Sequence, residues 1–259
     1  MPGPAPIELL PVAGLANRLR AMASAICAAE DTGRPLIVCW TQEYNAYRGR
    51  PEQLFDLKAL PFTLVDAGFG GPPPYPHGEC LSPADWEKYS SRDPYKPIFI
   101  KSYGHFHQSD PQRWVRALQS IRPSIAIQEA LRGFLETLPI QPKQLVGVHI
   151  RRTDHRKAIQ LSPTESFFAA MRAYPADTHF YLATDDTLER DCMIQAFPGR
   201  IHTGATNLNR YTEEGGVHAF FDFLCLSSCG VILGSAGSSF SECAAFYGGC
   251  PLRVIQKGH

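Results

Sequence analysis

The stretch LVGVHIRRTDHRK, Leu145–Lys157, changes character halfway along. Leu145, Val146, Val148 and Ile150 suit a buried strand, yet the run ends in two arginines, an aspartate and a histidine. Side chains alternate along a strand, so Gly147, His149 and Arg151 share one face while Val148, Ile150 and Arg152 share the other. In open α/β sheets, ligands bind outside the carboxyl ends of the strands. Arg151 at such an end can grip an anion with its planar fork, and His149 lies one layer deeper on the same side. Arg152 faces away and is expected to pair structurally with a carboxylate such as Asp154 or Asp185. The bland alternative for the cluster is a solvated charge run at a loop.

Working outward, strand-like runs recur as IELLPV, PLIVCW, FTLVDA, PIFIKS, QLVGVHI, THFYLAT, CGVILGS and PLRVIQ. Helix-like stretches fall between many of them. The first is Asn17–Asp31, where Leu19, Met22, Ile26 and Ala29 lie near one face and Gly33 terminates. Others are Ser124–Glu136, Pro163–Tyr174, Thr187–Ala196, Gly216–Ser228 and Ser239–Tyr247. Strands alternating with helices imply parallel sheets covered by helices. The run GFGGPPPYPHGEC reads as an excursion from the first half, since Pro72–Pro74 cannot sit inside a sheet. The boundary is expected near Gln141–Gln144, giving two small α/β lobes, 1–140 and 141–259.

Composition narrows the function classes. The chain has 259 residues, 44% hydrophobic and 19% charged, enough apolar surface for a core and too little charge for disorder. Lys+Arg and Asp+Glu are 25 each, so there is no bulk attraction to nucleic acid or an anionic membrane, and an anion must be held by a local cluster. The N-terminal MPGPAPIELLPVAG lacks the pattern of a secretory signal, and no segment has the ~20 apolar residues of a membrane span. The cysteines form no CxxC pair and mostly fall in apolar periodic segments, which reads as buried free thiols. Cys225 and Cys229, four apart, read as core packing rather than zinc ligands. A cytoplasmic location is the expectation.

Four further features carry chemistry. PVAGLANRL is a strand–turn–helix entry, in which Gly14 permits a tight turn and Asn17 can cap the helix. Free N–H groups at such an N-terminus suit a diphosphate, although an ordinary capped turn reads equally well. In LATDD, Asp186 and Glu189 fit a capping box, leaving Asp185 to brace Arg152 or to meet a ligand. In GSAGSSFSE, Ser239 and Glu242 fit another box, leaving Ser238 and nearby N–H groups for phosphate. Asp222 sits on GVHAFFDFLCLSS, apolar nearly all round, where a buried carboxylate needs a partner; His218, one turn back, is the structural candidate. No metal-ligand spacing accompanies these residues, and no metal is expected.

HIRRTD resembles the HxRRxD motif of the fucosyltransferase superfamily, which includes α1,6-fucosyltransferases and protein O-fucosyltransferases. GLANRLRAMASA, LATDD and GSSFSECAAFYGG resemble the family in the same order and extend the likeness over most of the chain. The resemblance implies a GT-B-like α/β fold, two Rossmann-like lobes with the donor cleft between them, for which 259 residues is short. It also implies an inverting, metal-independent transfer of fucose from GDP-fucose, with no cofactor besides that donor. By the same resemblance the Gly14–Asn17 loop faces the phosphates, Ser238 and Ser239 contact the diphosphate, and Asp222 accepts the guanine N–H groups with His149 on the same guanosine. Family members usually have glycine where Ala16 stands.

The general base departs from the pattern. Core-glycan α1,6 enzymes place a lysine after RRTD and a glutamate a few residues later, whereas His155, Arg156, Lys157, Ala158 and Ile159 follow here. His155 is a candidate base, as are Glu43 and Asp85, and base-free dissociative transfer is an alternative. Trp40, Tyr44, Tyr47, Tyr75, Trp86, Tyr89 and Tyr95, expected on loops, could stack on an acceptor, which is a glycan, a lipid-linked sugar or a protein hydroxyl, although aromatics under loops more often pack satellite cores. The rival readings are another GDP-hexose donor and an inactive nucleotide-sugar-binding protein. A dinucleotide oxidoreductase is disfavoured because no G-x-G-x-x-G follows the first strand.

Overall fold

The computed structural model describes residues 3–42, 47–68, 80, 82–91, 93–107, 110–153, 155–204, 206–209 and 211–257. In chain order the elements are β1 (Ile7–Pro11), α1 (Leu15–Thr32), β2 (Leu36–Trp40), α2 (Pro51–Leu54), β3 (Thr63–Asp66), α3 (Pro83–Ser90), β4 (Ile98–Ser102), α4 (Pro111–Ser120) and α5 (Ile125–Glu136). A 3-10 turn at Pro142–Gln144 leads into β5 (Val146–Ile150) and α6 (Arg156–Leu161). Then come α7 (Thr164–Arg172), β6 (Phe180–Thr184), α8 (Thr187–Ala196), β7 (Ile201–His202), α9 (Glu213–Ser228), β8 (Val231–Ser235), α10 (Ser239–Gly248) and β9 (Leu252–Ile255).

These elements make two compact units, Met1–Ile127 with Arg210–Gly216, and Gln128–Asn209 with Val217–His259. The first holds a parallel four-stranded sheet in the order β3-β2-β1-β4. The second holds a parallel five-stranded sheet in the order β7-β6-β5-β8-β9. Each of the eight strand-like runs contains a strand, and the two-residue β7, too short to show a period, escaped notice. By contact, α5 falls largely in the second unit, ahead of the Gln141–Gln144 loop at which the sequence reading divides the chain.

In the first sheet burial alternates along β1, β2 and β4, and Ile7, Leu9, Val38, Trp40, Ile98 and Ile100 are wholly buried on one face. Helix α1, mostly buried, packs against β1 and β2 and against α4. Central strands β5 and β6 are buried at every residue, as parallel strands covered on both faces should be. Val148 and Ile150 pack into a core with Phe167 and Met171 of α7, Phe180 and Leu182 of β6, and Met193 of α8. Gly147 faces the other way, where an added Cβ would lie 3.0 Å from Leu226 of α9, so α9 packs closely on this sheet face. Alternation along β5 thus sends one row to the core and the other toward α9 and α10.

Several aromatic residues expected on loops are part of the frame. Trp40 ends β2, wholly buried and edge-to-face with Tyr47 and Phe55. Trp86 and Tyr89 lie in α3, and among the described residues of this set only Tyr95 is well exposed. Tyr44, Tyr75, Glu43 and the stretch 69–79 lie outside the described residues. Helix α4 went unread in the sequence despite an Asp110 side chain that caps it and Pro111 at its first position.

Candidate functional site at the carboxyl edge of the second sheet

Register defines the site. Gly147 pairs with Tyr181 and His149 with Ala183, so Gly147, His149 and Arg151 run beside Tyr181, Ala183 and Asp185 on one sheet face. Three layers follow, from the carboxyl edge to the interior.

At the edge, Arg151 Nη1 lies 2.6 Å from Asp185 Oδ2, with both side chains mostly buried. Asp185 also accepts the Arg152 N–H at 2.7 Å and the Thr153 hydroxyl at 2.7 Å. Burial opposes its charge, but Arg151, the Thr153 hydroxyl and the Arg152 N–H outweigh it, and the carboxyl sits below its usual value. Asp185 therefore braces Arg151. The pair is neutral as a unit, so any anion it binds is recognised by directional N–H donors of the five-donor guanidinium rather than by net charge.

Arg152 keeps the structural role but takes a different partner. Its guanidinium makes a two-pronged pair with Glu189 of α8, at 3.0 Å from both Nε and Nη2, and also donates to the Ser162 carbonyl and the Thr164 hydroxyl. Asp154 lies outside the described residues. Glu189 explains a second difference: Asp186 caps α8 by accepting the Glu189 N–H, but the Glu189 carboxylate turns to Arg152 instead of closing the capping box.

In the middle layer His149 is 5% exposed, stacks on Phe240 of α10 at 4.9 Å, and has Nδ1 3.5 Å from Ser238 Oγ. Burial, then the Arg151 charge, lowers its pKa to about 3, so the ring is neutral at physiological pH. Ser235, ending β8, accepts the Arg151 N–H at 3.0 Å and ties the ends of β5 and β8 together. The next turn needs Gly237, which has φ +67. Ser238 is the N-cap of α10 and Ser239 its first residue, one step off the expected capping box, and the Ser238 side chain makes no cap bond.

In the deepest layer Asp222, 6% exposed, accepts the Tyr181 hydroxyl at 2.6 Å. His218 is not its partner, because His218 Nδ1 accepts the Asn207 N–H at 2.9 Å. Tyr181 was missed in the sequence. Its signal was available: a phenol in the apolar strand FYLAT must place its hydroxyl somewhere.

His155 borders this site, with Cε1 3.9 Å from where a Cβ on Gly237 would lie. It is the N-cap of α6, and Nδ1 accepts the Ala158 N–H at 3.0 Å. The neutral ring then carries its proton on Nε2, so it serves as base only if it gives up the cap. Asp85 is similarly engaged, accepting from Ser82 and Lys88 within the α3 capping box.

Gly14 and Asn17 belong to the first unit. Helix α1 starts at Leu15, making Gly14 the N-cap and leaving Asn17 in the first turn rather than capping it. Ala13, not Gly14, takes the left-handed conformation, with φ 67, while Gly14 is extended. Arg18 holds this turn: Nε donates to the Ala13 carbonyl at 2.8 Å, and Nη1 to the Thr41 carbonyl at 2.8 Å.

Cys229 Sγ donates to the Cys225 carbonyl at 3.3 Å, and burial raises both thiols above their usual range, as core thiols. Among the described residues no group of three or more His, Cys, Asp or Glu could hold a metal ion, and no helix is long and apolar enough to cross a membrane.

No protein-family model matches the sequence, and no curated protein matches it. Solved structures do. The fucosyltransferase NodZ from Bradyrhizobium is 16% identical, with TM-score 0.70, covering 98% of this chain and 97% of that one. Arabidopsis thaliana FUT1, solved with GDP, is 13% identical, with TM-score 0.66, covering 99% of this chain and 71% of that one. POFUT1, solved with GDP-fucose, is 11% identical, with TM-score 0.60, covering 98% of each chain. The fold of this chain is the GT-B-like α/β fold of these fucosyltransferases.

Proposed function

We propose that this chain transfers fucose from GDP-fucose to an acceptor hydroxyl, with inversion and without a metal. The observation that carries the reading is the Arg151–Asp185 pair beside the Ser238–Ser239 turn, on a fold whose solved examples include one with GDP-fucose bound. The first unit would serve the acceptor side and the second the donor, while Gly14 and Asn17 keep the donor-phosphate role that the resemblance gives them.

Transfer breaks the bond between the anomeric carbon and the β-phosphate oxygen of GDP. Negative charge grows on that oxygen while the sugar becomes oxocarbenium-like. Arg151, Ser238, Ser239 and the first N–H groups of α10 would meet the charge, and donors already fixed in place need no reorganisation as it develops. Asp185 fixes the Arg151 fork. Asp222 would accept the guanine N1–H and amino group, with neutral His149 between base and phosphates. The acceptor hydroxyl would attack from the face opposite GDP, which inverts the configuration.

A second reading is a nucleotide-sugar-binding protein that does not catalyse. It is supported by the engagement of His155 and Asp85 as helix caps. A dissociative path, in which the acceptor loses its proton late, answers that objection. Incubating the protein with GDP-fucose and a panel of glycan, lipid-linked and protein acceptors in EDTA separates the readings. Acceptor-dependent GDP release supports the enzyme. Binding of GDP-fucose without release across the panel supports the binder, and dependence on added manganese or magnesium contradicts metal independence.

A further inference from the structure

We infer that Ser162 is a positioning residue for phosphate binding, holding the turn before α10 in register with the Arg151 end of β5. The inference rests on the proposed diphosphate contact of that turn.

The turn is weakly determined by its own residues. The Ser238 N–H donates to the Ser235 carbonyl at 3.3 Å, closing a four-residue turn whose third residue, Gly237, has φ +67. Glycine permits that conformation without enforcing it. Donors aimed at a developing charge are effective when they are fixed beforehand. The fixing contacts come from outside the turn.

Ser162 supplies them. It is wholly buried, at the C-terminal cap of α6 and far in sequence from the turn. Its hydroxyl accepts the Ala236 N–H at 2.8 Å and donates to the Ile255 carbonyl, at the end of β9, at 2.6 Å. Ala236 is itself buried, so its N–H depends on a protein partner. The Ser162 carbonyl accepts Arg152 Nη1 at 3.1 Å, and the same nitrogen donates to the Arg151 carbonyl at 3.0 Å. Glu189 holds that guanidinium through Nε and Nη2. One residue thus joins the strand end bearing Arg151 to the turn bearing Ser238.

Ser162→Ala removes the hydroxyl and almost nothing else. Displacement calorimetry with GDP and with guanosine reads the share of affinity owed to the phosphates, since guanosine keeps the base and ribose. With the turn released, the GDP-to-guanosine affinity ratio is expected to fall about tenfold, the scale of one hydrogen bond to a charged group. Guanosine affinity itself should stay near wild type. Met171→Ala, in the core of the same unit, is the control and should lower the melting temperature at an unchanged ratio. A Ser162→Ala protein that melts lower but keeps the wild-type ratio overturns the inference while leaving the diphosphate reading intact. An equal fall of the ratio in Met171→Ala overturns it too, because loss of stability alone then explains the effect. A wild type that binds GDP no more tightly than guanosine defeats the diphosphate reading and the inference with it. Should Ser162→Ala not fold, Ser162→Cys fills the site with a weaker donor and acceptor: a reduced ratio supports the inference, and an unchanged one overturns it.

Discussion

The two parallel sheets share the order 3-2-1-4 through their first four strands, yet each uses an arginine near its carboxyl edge in the opposite way. Arg18 of the first unit is wholly buried, bonded to the Ala13 and Thr41 carbonyls, with its guanidinium 4.7 Å from the Trp40 ring centroid. There the charge serves the backbone and holds a left-handed alanine at the entry to α1. Arg151 of the second unit stands on the strand end, keeps part of its surface exposed, and is braced by a carboxylate. Topology alone therefore does not locate chemistry. What separates the two edges is whether the guanidinium is consumed by carbonyls or aimed by an aspartate.

Exchanging those roles by mutation tests the contrast. The largest effect is expected for Arg151→Ala, which should cut fucosyl transfer about a thousandfold with the chain still folded, the size of a lost donor that acts mainly in the transition state. Arg151→Lys should recover little, because a point charge lacks the fork. Single-turnover rates on protein with a native melting transition check this, and near-normal transfer would reduce Arg151 to a structural partner of Asp185.

Arg18→Met should act on stability instead. Losing two bonds to buried carbonyls and a guanidinium packed on Trp40 should cost about 3 kcal/mol in denaturant unfolding. GDP affinity of the folded fraction should change far less than in Arg151→Ala, since Arg18 itself is assigned no ligand contact. A variant as stable as wild type would mean that the Ala13 turn holds itself.

The smallest effect is a slope with pH. The pKa of His149 in the folded chain, about 3, lies below the free value of 6.5, so its contribution is full above 6.5 and is lost as pH falls toward 3. The lowered pKa of Asp185 acts the same way at lower pH, its contribution disappearing below the usual carboxylate range. Unfolding free energies measured between about pH 8 and pH 5 should decline for wild type and less for His149→Phe. Equal slopes would show that His149 is not held neutral by its surroundings.

Much of this was legible in the residues, for reasons that also mark the gaps. Strands β1 to β6, β8 and β9 announce themselves because a parallel core demands branched apolar runs. That Arg151 and Arg152 turn to different partners follows from strand alternation alone. Partners were harder to read, because local spacing says nothing about which distant side chain arrives. His218 is one turn from Asp222, yet Tyr181, distant in sequence, takes the carboxylate. Glu189 looked like half of a capping box but answers Arg152. The rule linking glycine to tight turns failed at Ala13, where Arg18 stabilises a conformation that sequence rules assign to Gly14.

The central claim is that Arg151, at the carboxyl edge of the second sheet, makes the dominant contact to the diphosphate of a guanine nucleotide. Titration calorimetry of GDP, ADP and UDP in EDTA, on wild type, Arg151→Ala and Arg18→Met, tests it most directly. The account predicts that wild type prefers GDP over ADP by about a thousandfold or more. It also predicts that Arg151→Ala loses most GDP affinity and that folded Arg18→Met keeps it. Equal binding of all three nucleotides, or GDP binding that survives Arg151→Ala and disappears in folded Arg18→Met, would contradict it.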